Sequence, residues 1–240
     1  MKLFKNIKNW LENQEHLFYL FLFILIVPNM VLCFTEPLPF MAKVANVLLP
    51  FGCYYLLMTL SRNCGKMLWI LFLFLFFGAF QIVLLYLFGQ SIIAVDMFLN
   101  LVTTNSSEAL ELLDNLTPAI IAVIILYVPA LILGMISIIR KRKLTVEFIR
   151  RERKRAFLVF GISLLSLVGA YVQDSGYELK SDLYPLNVCY NVGLAFQRTA
   201  LTQDYHRTSK DFTFHARPTH PEGKREAVSY THLTLPTKLE

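Results

Sequence analysis

Three polar residues, Asn100, Thr104 and Glu108, stand four apart in the stretch NLVTTNSSEALELLDNL, residues 100–116. On one continuous helix they form a single stripe, each about 6 Å above the last. An amide, a hydroxyl and a carboxylate in line make a grip for a polar headgroup. The carboxylate suits an ammonium, and the other two can hydrogen-bond phosphate or glycerol oxygens. The same residues fit a second arrangement. Asn105 can cap a helix with Glu108 as its capping-box partner, which would leave Asn100 and Thr104 in a preceding turn. His206, His215 and His220 lie nine and five apart, match no helical ligand pair and have no cysteine or carboxylate to complete a set. Cys33, Cys53, Cys64 and Cys189 form no CxxC and no Cys/His metal spacing. No catalytic and no metal-binding residue is assigned.

The stripe lies between long apolar runs. The chain has 240 residues, 55% of them hydrophobic, and a mean hydropathy of +0.51. That is too apolar for an ordinary soluble domain and points to an all-α membrane protein. Five runs are read as transmembrane helices: Leu17–Phe34, Val44–Leu60, Met67–Phe88, Ala119–Ile139 and Ala156–Val172. None contains Asp, Glu, Lys or Arg. An 18-residue helix is about 27 Å long, close to the thickness of the bilayer core. Pro28, Pro50 and Pro129 interrupt three of the spans, which neighbouring helices tolerate. The first run follows Lys2, Lys5 and Lys8 but lacks a small-x-small cleavage site after it, so it reads as a retained signal anchor.

Basic residues orient the spans. Of 23 Lys and Arg, nine fall between Arg140 and Arg155. Flanked by apolar runs, they read as a cytoplasmic membrane loop and not as a nucleic-acid surface. The N-terminus and the loop Ser61–Lys66 are also basic, whereas Gly89–Pro118 has no Lys or Arg. The expected arrangement is five spans with the N-terminus cytoplasmic and the C-terminus outside. Residues 100–116 then sit at the outer surface after the third span. There they are expected to form an amphipathic helix with Leu110, Leu112, Leu113 and Leu116 dipping into lipid.

The pattern DMFLNLVTTNSSEALELL resembles the membrane domain of bacterial phosphoethanolamine transferases, the family that decorates lipid A and related glycans. Members show an Asp, then Asn, Thr and Glu at spacings of four, then a Leu pair, matched here by Asp96, Asn100, Thr104, Glu108, Leu112 and Leu113. A second similarity is LYPLNVCYNVGLAFQRT, a Pro-Asn element with another Asn a few residues on, placed before the soluble domain. The five-span count fits too, and the resemblance covers about residues 1 to 228. It implies that Asn100, Thr104 and Glu108 hold the headgroup of the lipid substrate, phosphatidylethanolamine. It also implies the bacterial inner membrane as the location, with a periplasmic C-terminus.

The resemblance divides the chain into a five-helix transmembrane domain, 1–172, a mostly irregular periplasmic linker, 173–228, and a tail, 229–240. In the family the linker leads into an alkaline-phosphatase-like domain, where zinc activates a threonine nucleophile. The tail SYTHLTLPTKLE has no apolar strand and no Gly-Glu-Thr, and resembles translated sequencing adapter. Zinc is therefore expected in a catalytic domain that these residues do not contain, and the chain alone is expected to be inactive. Two alternatives stand beside this reading. One is the membrane domain of a phosphoglycerol transferase of the lipoteichoic-acid-synthase type. The other is a non-enzymatic membrane scaffold whose basic loop binds anionic lipid.

Overall fold

A computed structural model of the chain describes residues 10–88 and 106–209, with side chains at 10–86, 116–205 and 207. Every regular element among them is helical. Helix α1 is Gln14–Thr35, α2 is Phe40–Met58, α3 is Cys64–Ile70, α4 is Phe72–Phe88, α5 is Ser106–Ile139 and α6 is Val146–Gln173. A short α7, Leu179–Asp182, and a longer α8, Leu186–Ser209, follow. The chain divides into two units, Met1–Thr199 and Ala200–Glu240. The contacts below all belong to the first.

Local chemistry sets the helix ends. Asn13 caps α1, its Oδ1 accepting from the Glu15 amide at 2.9 Å. The sequence EPLP then separates α1 from α2, because proline removes amide donors and disfavours helix in the residue before it. Asn63 caps α3 by accepting from the Lys66 amide at 2.8 Å. Helix α5 closes at Lys141, which has φ 49. The Arg142 amide reaches back to the Ser137 carbonyl at 3.1 Å and the Lys141 amide to that of Ile138 at 2.9 Å. This is the double closure of a left-handed C-cap.

Four helices, Gln14–Thr35, Phe40–Met58, Leu116–Ile139 and Val146–Gln173, are individually long and apolar enough to cross a membrane. A fifth span arises if Cys64–Ile70 and Phe72–Tyr86, bent by 63°, count as one. The chain is a membrane protein on this ground. Successive spans alternate in direction. The starts of α1 and α3 meet the end of α5, where Ser137 and Cys64 both donate to Gln14 Oε1, at 2.6 Å and 3.4 Å. At the other end Gln173 Oε1 of α6 accepts from the amide of Met41 at the start of α2, at 2.8 Å. The first is the basic end, carrying Arg62 and Arg140–Arg155.

Helix α1 is the axis of the main core. Phe18 and Phe21 are fully buried against Tyr55, Met58, Leu68, Tyr127 and Phe148. Helices α5 and α6 expose Ile125, Leu158, Leu165 and Val172 instead, a lipid-facing pattern. Backbones touch where α3 meets α5: a Cβ on Gly65 would lie 2.2 Å from the Gly134 carbonyl oxygen. Only glycine permits that approach.

Several expectations are corrected. The third span is not one straight helix but breaks at Leu71. No Pro or Gly lies between Met67 and Phe77, so tertiary contacts impose the bend. Asn63 Nδ2 ties the start of α3 to the Ser137 and Arg142 carbonyls, at 3.1 Å and 2.8 Å, and Gly65 locks it to α5. The basic loop is largely helix, since α6 starts at Val146, ten residues before the expected span. Thr145 caps it by accepting from the Phe148 amide at 3.2 Å, and Glu152 pairs with Arg151 and Arg155. Residues from Ser106 onward are not a separate amphipathic helix. They run continuously into the fourth span across Pro118, and Leu116 is buried, not dipped into lipid. Finally, the described part of the linker is mostly helical. Pro185 stands just before α8, where its missing amide costs little, and buried Tyr184 and Val188 anchor the helix against Leu32, Leu84 and Leu85.

Candidate functional site

The end of the bundle opposite the basic residues gathers neutral polar groups inside apolar walls. Asn29 of α1 and Asn46 of α2 are buried within otherwise apolar spans. Asn29 Nδ2 donates to the Asn46 carbonyl at 2.9 Å and to the Tyr184 carbonyl at 2.7 Å. Asn46 Nδ2 donates to the Asp182 carbonyl at 2.6 Å, and its Oδ1 accepts from the Tyr177 hydroxyl. Two asparagines thus stitch the segment 177–187 onto the first two spans. A polar side chain in such surroundings is costly without a partner, and both Nδ2 groups secure theirs from backbone carbonyls.

Two phenols reach deeper. Tyr184 donates to the Phe74 carbonyl at 3.2 Å. A Cβ on Gly78 would lie 3.1 Å from the Tyr127 hydroxyl, 3.3 Å from that of Tyr184 and 2.9 Å from Pro28 Cγ. Both hydroxyls therefore converge on the surface that Gly78 leaves bare. Outside the spans, burial pushes the Tyr177 and Tyr184 phenols up, so each stays a neutral hydroxyl.

Several polar atoms here are buried without a partner: Asn29 Oδ1, Tyr127 Oη, and both Oδ1 and Nδ2 of Asn187. Asn187 is 0% exposed and lies one turn after Tyr184, in the first turn of α8. Such groups are rare because each forfeits its hydration. Beside them an apolar cavity of about 280 Å³ opens between α2, α4 and α6, lined in part by Pro50, Tyr54, Phe74, Phe160 and Pro185. Oriented amide and hydroxyl groups next to an apolar slot can hold and orient a lipid. They provide no nucleophile with a base.

Family and structural comparisons add nothing. No family model, curated protein or solved structure matches the chain.

Asn100 and Thr104 lie outside the described residues, as do Asp96 and Asn105. Glu108, Leu112 and Leu113 are in the opening turns of α5, and their side chains lie outside the described ones. His215 and His220 lie outside as well, as does the His206 side chain. Among the described residues no group of three or more His, Cys, Asp or Glu is placed to hold a metal ion. Helix α5 runs antiparallel to α3 and α4, with Gly134 at Gly65 and Tyr127 at Gly78. Its opening turns are therefore directed toward the end where the asparagines lie. Sequence reasoning did not single out Asn29, Asn46 or Tyr127. An isolated amide in an apolar run is the signal that finds the first two.

Proposed function

We propose that the chain is the membrane domain and linker of a phosphoethanolamine transferase of the bacterial inner membrane. It binds phosphatidylethanolamine, and the group is delivered to lipid A or a related glycan. On this reading the N-terminus is cytoplasmic and the C-terminus periplasmic. The threonine nucleophile and its zinc belong to a domain following residue 228. One observation supports the proposal: the buried start of α8 and the opening of α5 lie toward one end of the bundle. Asn187 of the Pro-Asn element is buried there with an unpartnered amide, and α5, which carries Glu108, opens toward it. The neighbouring cavity is apolar and suits an acyl chain.

Glu108→Gln replaces a carboxylate facing an ammonium by a neutral amide. A charge-assisted hydrogen bond contributes about 1.5–3 kcal/mol, so capture of a photoreactive phosphatidylethanolamine by the purified chain should fall about tenfold or more. Protein level and helix content should not change. Undiminished capture would remove the headgroup role. The transferase assignment has a separate check: resequencing source DNA across codons 220 to 260 should show an apolar strand ending in Gly-Glu-Thr.

A further inference from the structure

The basic end carries a second feature. Helix α2 finishes against the start of α6, and a groove of about 270 Å³ opens between them, lined by Leu56, Leu57, Thr59, Leu60, Arg153 and Phe157. Its walls are apolar. Leu60 and Phe157 are 67% and 62% exposed, so the groove presents an open apolar surface. Arg153 stands at its mouth. One Nη donates to the Thr59 carbonyl at 2.7 Å, which fixes the guanidinium over the end of α2. Among the described residues it has no carboxylate partner.

The charges around the groove are unevenly committed. Arg151 and Arg155 are both spent on Glu152, at 2.9 Å each. Arg150 precedes Arg153 by three positions on α6 and so shares its face. Glu147 is six positions before Arg153, about 9 Å along the helix. One end of the groove is thus cationic and the rest is apolar, at the level where α6 passes from charged turns to lipid-facing ones.

We propose that this groove is a binding site for an anionic phospholipid. Its acyl chain lies along Leu56, Leu57, Leu60 and Phe157, and its phosphate is held by Arg153 with help from Arg150. A guanidinium offers several donors in a fixed plane, which matches phosphate oxygens. The first ordinary bond, to Thr59, supplies the orientation. The site is distinct from the amide cluster and takes a lipid of net negative charge.

The test places a reporter in the groove. Trp10 and Trp69 become Phe, and Phe157 becomes Trp. The full chain in micelles is titrated with brominated-acyl phosphatidylglycerol or brominated-acyl phosphatidylcholine at equal mole fractions. Phosphatidylglycerol should quench the reporter at a mole fraction at least threefold lower. Adding Arg153→Gln should erase that preference, Arg153→Lys should keep part of it, and Lys141→Gln, on the turn after α5, should leave it intact. Equal quenching by the two lipids overturns the proposal, because the groove would then hold whichever lipid adjoins it. An equal loss with Lys141→Gln also overturns it, because a diffuse basic field would account for the binding. If Arg153→Gln lost its helix content, the Lys variant would decide: loss of preference in a folded Lys variant would likewise count against the site.

Discussion

Glu152 and Asn187 are both wholly buried, near opposite ends of one helical bundle, and their surroundings differ in kind. Glu152 accepts from Arg151, Arg155 and Tyr55. Asn187 has two side-chain atoms without a partner. Around Glu152 the neighbours follow suit, with Asn63 satisfied by three bonds and Arg62 Nε donating to the Leu144 carbonyl at 3.0 Å. Gln14 Nε2 and, further along α3, Trp69 Nε1 are the exceptions there. Around Asn187, Asn29 and Tyr127 also keep unpartnered atoms. A saturated network rigidifies, whereas an unsaturated one retains capacity for a ligand. The saturated network at the basic end holds helices in register, whereas the amide cluster at the opposite end keeps polar atoms available to a ligand.

The largest effect should come from cutting the saturated end. Glu152→Ala removes a buried carboxylate, strands the Tyr55 hydroxyl and leaves a cavity, at a cost of about 3 kcal/mol. Thermal unfolding in detergent measures it, and a change under about 0.5 kcal/mol, the range of neutral surface substitutions, would break the contrast. Asn187→Leu should act in the other direction. It removes two unsatisfied polar atoms in a similar volume and should stabilise the chain by about 1 kcal/mol while weakening lipid capture. A loss of stability would show that the amide already has a structural partner, which erases the distinction between the ends. The smallest effect tests the basic end alone. Lys141→Gly relieves a left-handed residue and should raise stability by about 0.5 kcal/mol with no change in lipid capture.

Spans were legible where composition alone decides. Long runs without charge gave α1, α2, α5 and α6 to within a few residues at their apolar ends. The bend at Leu71 was not legible, because its cause is a glycine contact with a helix some seventy residues further on and not a local breaker. The start of α6 was read as loop because charge dominates the sequence there. Yet Arg, Lys and Glu are good helix formers, and a carboxylate among five basic residues is the clue that a compact network stands there. Asn29 and Asn46 carry no periodic signal, and their partners are backbone carbonyls and one phenol of distant residues, which no local pattern encodes. Asn187 was within reach, since it belongs to the Pro-Asn element, but its burial was not.

The bond between Asn29 and Tyr184 joins residues 155 apart. Synthesis proceeds at about 5–20 residues per second, so the amide on the first span waits roughly 8–30 seconds for its carbonyl. Through that interval α1 must stay in the membrane with an incomplete set of partners. The closing of this contact therefore reports on chronology as well as geometry. It forms only after all the described spans have emerged, and a chain halted before residue 184 would keep α1 chemically unfinished.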